Sequence, residues 1–225
     1  MSEHPVDVWT HRVARYLERA IDWGVRHWLL FVNLAFLFYV VFAVLAPVFM
    51  HLGWERLGQG LYLAYRPFCH QLPERSFFLF GQKWAYTLNE LYSHGLSPTS
   101  SMWQRRLYVG SPEVGYKMAF CQRDLAIYGT FALGGMIYGA TRRYWRPLPW
   151  RWYLLSLAPL ALDGLTQLFG MRVSSPLLRV ITGSLSAWTT IWALYPRVDE
   201  SLLRALNTDE GSRVGTDSAP LHKAK

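Results

Sequence analysis

The sequence predicts an all-α, polytopic membrane protein with about four transmembrane helices, an amphipathic N-terminal helix and a helical outer region. Three observations carry that expectation. Four apolar segments each approach the ~20 residues a helix needs to cross a hydrocarbon core. The link between the second and third is crowded with arginine. The 225-residue chain is 52% hydrophobic and 16% aromatic, with 11 Trp, yet its overall hydropathy is barely positive, so apolar blocks must alternate with charged ones.

Residues 1–26 read as an amphipathic interfacial leader. Trp9, Val13, Tyr16, Leu17 and Ala20 fall on one helical face, with Arg12, Arg15, Glu18, Arg19 and Asp22 mostly on the other, the pattern of a helix lying at a membrane surface. A single helical membrane domain follows over 27–196. Its first span, about 27–50, has Asn33 as its only strongly polar interior residue. At 1.5 Å per residue it reaches roughly 36 Å, enough for a ~30 Å core with some tilt. It is too long for the apolar part of a cleaved signal, and Pro47 spoils the small-residue site ending at Ala46.

The outer region, 51–119, carries helical apolar spacing at 54–65 and 82–94, with Gly95 placed to cap the second stretch. Three further spans follow at about 120–140, 150–170 and 176–195. They are less apolar than the first and suit a bundle interior. The polar residues from 197 to 225 predict a disordered tail.

Orientation follows from charge. The link 141–151 holds four Arg in eleven residues, the leader adds Arg12, Arg15, Arg19 and Arg26, and the tail begins with Arg197 and Arg204. Four spans place all three regions on one side, and the positive-inside rule makes that side cytoplasmic. The expected location is the inner (plasma) membrane, with both termini cytoplasmic and 51–119 outside. The net charge of +8 thus reads as a topological signal. With no nucleic-acid motif, phosphate loop or repeat, nucleic acid is not an expected partner. The expected partners are the lipid bilayer and a protein partner or second copy meeting Gly-rich helix faces, such as Gly135-x-x-x-Gly139.

Three polar clusters converge on the outer side of this topology. The first is Cys69, His70 and Gln71, with Glu74, Arg75 and Ser76 close by. The second is Cys121, Arg123, Asp124 and Tyr128, where 121, 124 and 128 share one helix face. The third is Asp163 and Gln167 on the third span. A carboxylate inside a span costs about 2.5–3.5 kcal/mol on insertion scales, so Asp163 must find a partner. Arg179, just across the short outer turn, is the candidate. A structural ion pair is the plainer reading of Asp163 and a proton or ion site the sharper one.

These motifs in order, Cys-His-Gln-Leu-Pro-Glu-Arg-Ser (69–76), Cys-x-Arg-x-x-x-Ile-Tyr (121–128), Asp-Gly-x-Thr-Gln (163–167), Arg-x-x-Ser (172–175) and Leu-Arg-x-x-Thr-Gly (178–183), resemble an uncharacterised family of predicted bacterial and archaeal membrane proteins. The resemblance covers about residues 60–195 and implies a small helical membrane protein with no established activity. Many members read Cys-x-Arg-Cys where this chain has Cys121-Gln-Arg-Asp124. The change removes a dithiol but leaves a carboxylate that can bind metal.

The two cysteines leave several readings open. Cys69, His70, Cys121 and Asp124 could hold zinc or iron, since zinc accepts S, N and O ligands. Adjacent Cys and His side chains rarely reach one ion, so a set of Cys69 or His70 with Cys121 and Asp124 is easier to build. Alternatively, Cys69 and Cys121 form a disulfide worth roughly 4 kcal/mol in the loop-entropy model, or remain unpaired. At the level of function these readings correspond to a metal-binding membrane protein, a disulfide-stapled structural or accessory subunit of a larger complex, and, lower, a membrane thiol oxidoreductase.

Overall fold

The computed structural model describes residues 5–217. Helix α1 (Pro5–Arg26) is followed by α2 (Trp28–His51), α3 (Glu55–Tyr65), strand β1 (Ser76–Leu79), two short helices α4 (Leu88–Ser93) and α5 (Met102–Leu107), and strands β2 (Gly110–Ser111) and β3 (Gly115–Cys121). Helices α6 (Gln122–Thr141), α7 (Trp150–Leu168) and α8 (Pro176–Asp217) complete the order. The protein is mostly helical, but it is not all-α: β1, β3 and β2 form a three-stranded antiparallel sheet in that order.

The sheet was hidden because its central strand is buried on both faces. Residues Met118, Ala119 and Phe120 are all buried, so the period-2 alternation of a half-exposed strand is lost. A short continuous apolar run cannot be told from the start of a helix by periodicity. The second apolar segment therefore reads as beginning at 120, whereas Phe120 and Cys121 end β3 and the helix starts at Gln122. Gly115, with φ of +79°, lets β1 approach, since a Cβ there would sit 2.2 Å from the Leu79 carbonyl oxygen. The expected helix over 82–94 is confined to α4, where Thr87 and Glu90 form a capping box.

Among the described residues two helices, α2 and the Pro176–Leu206 part of α8, are long and apolar enough to cross a membrane, against the four expected. Helices α6 and α7 have comparable lengths of 20 and 19 residues. Arg123 and Asp124 in the one, and Arg151 and Asp163 in the other, lower their hydropathy. Many of their apolar side chains are nonetheless uncovered. Helix α7 buries only Asp163, and Leu154, Leu155, Leu162 and Leu165 lie open beside it.

Helix α8 does not stop at Tyr195. The stretch from 197, expected to be disordered, continues it to Asp217, while 218–225 of that tail and the first four residues of the leader lie outside the described residues. Pro196 lies inside this helix, and an interior proline leaves the carbonyl four residues earlier without its donor. Here the Leu148 N–H, from the arginine-rich link, bonds to that Trp192 carbonyl at 3.3 Å, and Arg197 donates to the Leu148 carbonyl at 2.8 Å. The helix continues because another part of the chain supplies the missing donor.

The long helices run between two distinct ends. At the basic end, Asp199 of α8 accepts from Trp28 Nε1 at 2.9 Å, Tyr138 OH at 2.5 Å and Arg142 at 2.5 and 2.9 Å. That carboxylate thus joins the start of α2, the end of α6 and the arginine-rich link. Leu29, Tyr138, Ile191 and Tyr195 pack together as an apolar cluster of the same helices. At the sheet end, Ala43, Ala46 and Met50 of α2 pack with Tyr62 and Tyr65 of α3 and with Ala119 and Phe120 of β3. The glycines of α6 are used inside the chain: Gly134 receives Ile191 and Trp188 of α8, Gly135 receives Asn33 of α2, and Gly139 receives Leu29 of α2. These faces bring the chain's own helices together.

Candidate functional site

The site is built where α3, β3 and α6 meet. After Tyr65 the chain turns, and the Cys69 N–H bonds back to the Tyr65 carbonyl at 3.1 Å. Gln71 then takes a left-handed conformation, φ 51°, while fully buried. For a non-glycine residue this costs on the order of 1 kcal/mol or more and needs support from its surroundings. The support is visible. The Gln71 N–H donates to Cys69 Sγ at 3.4 Å, its side-chain amide donates to the Tyr62 carbonyl at 2.9 Å, and its own carbonyl accepts from Lys117 Nζ at 2.6 Å.

From the other side, Cys121 ends β3 opposite Ser76 of β1 and is the N-cap of α6. Its sulfur accepts from the Asp124 N–H at 3.4 Å. The Cys121 N–H in turn donates to Cys69 Sγ at 3.3 Å. One ligand atom each from Cys69, Cys121 and Asp124 lies within 4.8 Å of the others. Around a tetrahedral zinc with Zn–S of about 2.3 Å, two sulfurs stand about 3.8 Å apart, so the set has the right scale. Asp124 lies in the first turn of α6, where the helix dipole favours negative charge, and three backbone N–H groups point at the two sulfurs.

Of the four residues expected to hold metal, His70 is not in this group. Its side chain is exposed, because it follows a buried Cys69 and neighbouring side chains diverge. The disulfide read as an alternative is not formed in this structure, where both cysteines are free. Each sulfur instead accepts backbone N–H bonds. The hydrogen bond with Cys121, and then burial, push the Cys69 thiol up from its ordinary value, which keeps it protonated in the absence of a cation.

Lys117 was missed. It is fully buried in β3, and its ammonium donates to the carbonyls of Gln71 at 2.6 Å and Arg106 at 2.8 Å. Burial pushes its pKa down to about 7, against the opposing pull of Cys69 and Glu74. The only signal in the sequence is one lysine inside the otherwise apolar run 116–121.

The remaining motif residues hold the sheet end together. Asp163 does not pair with Arg179. It binds Arg123 of α6 and, at 2.6 Å, Arg172 from the turn before α8, with the Gln167 amide at 3.1 Å. Arg179 instead donates to Gln122 Oε1 at 2.8 Å, and Gln122 donates to the Ser76 carbonyl at 3.1 Å. The correction has a geometric cause. Arg123 sits in the first turn of a helix facing Asp163, whereas Arg179 is drawn toward β1 by Gln122. Glu74 pairs with Arg105 at 2.8 Å, the Ser76 hydroxyl donates to the Leu72 carbonyl at 3.0 Å, and Tyr128 packs on Tyr39 and Phe120. Arg75 lines a cavity and makes no side-chain bond among the described residues.

Residues 112–193 match a family model described as predicted membrane protein (DUF2085). The chain is 31% identical over 179 residues to an uncharacterised protein of the archaeon Methanocaldococcus jannaschii, a match covering 76% of this chain and 93% of that protein. No solved structure matches the chain.

Proposed function

The chain belongs to the DUF2085 family of predicted membrane proteins, and from that premise we propose a plasma-membrane protein of four spans whose extracytoplasmic face carries a metal-binding site. The spans are α2, α6, α7 and the first part of α8. The uncovered leucines of α7 support counting it as one, since lipid is the natural solvent for such a face. The arginine-rich link, the start of α2 and Asp199 gather at one end, which supports placing that end in the cytoplasm. A membrane-impermeant thiol reagent applied to intact cells should then label Ser97→Cys, in the loop after α4, and labelling only after lysis would reverse the orientation.

The observation that carries the metal reading is the convergence of Cys69, Cys121 and Asp124 within 4.8 Å. Two sulfurs and one carboxylate oxygen fit zinc or ferrous iron and leave a fourth position for water or substrate. A cation there would displace the thiol protons, and the N–H groups of Gln71, Cys121 and Asp124 would stabilise the thiolates that result.

The test is metal content per chain in detergent-purified protein, for wild type and Cys121→Ser. Serine keeps an oxygen to cap α6, so loss of metal would not be a folding effect. About one zinc or iron per chain, lost in the variant, supports the site. No metal in wild type, even after zinc is supplied, ends this reading. The closeness of the two sulfurs favours a second one, a Cys69–Cys121 disulfide formed outside the cytosol. It would show as two thiols that react only after reduction.

A further inference from the structure

A second site lies at the sheet end, apart from the cysteines. A cavity of about 610 Å³ opens between the Leu72–Arg75 segment, the start of α4, α5 and the start of α8. That volume lies within the ~300–1,000 Å³ typical of small-molecule sites. Three guanidinium groups line it, from Arg75, Arg105 and Arg179, against one carboxylate, Glu74. Glu74 is already paired with Arg105, and among the described residues neither Arg75 nor Arg179 has an ion-pair partner in the cavity wall.

Arg179 is the decisive residue. It is only 3% exposed, its Nη1 is held by the neutral Gln122 amide, and its Nε is buried with no acceptor. Its charged neighbours are Arg75 and Arg123, with Asp163 farther off and already bound by Arg123 and Arg172. A buried guanidinium beside a second one is unfavourable unless an anion joins them. The same wall is the N-terminal end of α8, from Ser174 through Pro176, where the helix dipole favours negative charge. Glu74 Oε2, also buried, has no donor, so an occupant would carry a hydroxyl or ammonium as well as its anion. Leu88 and Val173 add an apolar rim.

We propose that this cavity binds an organic phosphate, with Arg75 and Arg179 holding the phosphoryl oxygens and Glu74 accepting from a hydroxyl or ammonium of the same molecule. Two unpaired guanidiniums match a doubly charged oxyanion better than a single carboxylate, and their planar forks bind phosphate in a bidentate manner. The phosphate belongs either to a soluble phosphomonoester or to the headgroup of a phospholipid. The proposal is independent of the metal reading, because it uses none of the same side chains.

The test uses the full chain, delipidated in a maltoside detergent, with two probes: glycerol 3-phosphate in solution and phosphatidylglycerol in nanodiscs, with phosphatidylcholine nanodiscs as control. Arg75→Gln is the main variant, since Arg75 makes no side-chain bond whose loss would impair folding. Arg179→Gln is the second, checked by thermal melting because it also releases Gln122. Saturable binding near one per chain, at least tenfold weaker in Arg75→Gln, supports the site. If glycerol 3-phosphate binds, the ligand is soluble, and if only phosphatidylglycerol binds in preference to phosphatidylcholine, it is a headgroup. Binding of neither probe, or equal binding by wild type and Arg75→Gln, overturns the proposal.

Discussion

The Cys121 backbone N–H donates to Cys69 Sγ at 3.3 Å, across 52 positions of sequence. The bond joins the turn after α3 to the junction of β3 and α6, and it makes the sulfur of one cysteine depend on the backbone of the other. Asp124 then adds its carboxylate from the first turn of α6. The three residues are brought together by sheet register and a helix cap.

This arrangement separates the adjacent pair Cys69 and His70. Cys69→Ala should abolish metal binding, whereas His70→Ala should leave metal stoichiometry unchanged, because the imidazole is exposed and outside the cluster. Metal analysis of the two variants beside wild type checks this, and loss of metal in His70→Ala would show that the ligand set is wrong.

Asp163 carries two guanidiniums, so its removal should be severe. Asp163→Asn leaves Arg123 and Arg172 without their carboxylate, with an expected loss of about 3 kcal/mol, the scale of breaking a buried pair. Unfolding in mixed micelles measures it. A double-mutant cycle should give substantial coupling between Arg123 and Asp163 and near-additivity between Arg179 and Asp163.

Lys117 should make stability depend on pH. Its pKa is about 7 in the folded protein and ~10.4 in an unfolded chain. Below pH 7 both states hold the proton and the cost of burying the charge is fully present. Above it only the unfolded chain does, so stability rises with pH at up to ~1.4 kcal/mol per unit. The Cys69 thiol acts in the opposite sense once pH passes its unfolded value of ~8.5, because its folded pKa is raised. The melting temperature of metal-free protein should therefore climb from pH 7 to about 8.5. In Lys117→Met that slope should vanish, whatever the variant's absolute stability.

The packing of α6 on α8 gives a steric prediction. A Cβ at Gly134 would lie 2.7 Å from Ile191 Cδ1 and 3.1 Å from the Trp188 ring, whereas at Gly129 it would meet nothing within 4 Å. Gly134→Ala should cost about 1–3 kcal/mol through overpacking, and Gly129→Ala should be tolerated. Adding Ile191→Val, which removes that Cδ1, should restore much of the loss. If Gly134→Ala melts like wild type, the close approach of α6 and α8 is not as described.

The helices were legible because their signal is local. The span at 27–50 becomes α2 within one residue at each end, and the amphipathic leader becomes α1. Strand β3 was not legible, since burial on both faces erased its alternation, and the continuation of α8 past Pro196 depended on a donor from Leu148, 48 positions earlier. Among the site residues, the sequence singled out Cys69, Cys121 and Asp124 by residue type and motif. It also nominated His70 and the Asp163–Arg179 pair, because spacing along a chain does not say which way a side chain points.

By itself the sequence determined the membrane character, the long helices and the residue types able to hold a metal, since hydropathy and helical period act over a few turns of chain. The tertiary structure alone decided which charges meet. Asp163 binds Arg123 and Arg172, Asp199 gathers three elements, Lys117 is buried, and Arg75 and Arg179 share a cavity. Those outcomes depend on strand register and helix rotation, and a shift of one residue in either turns a side chain to another face.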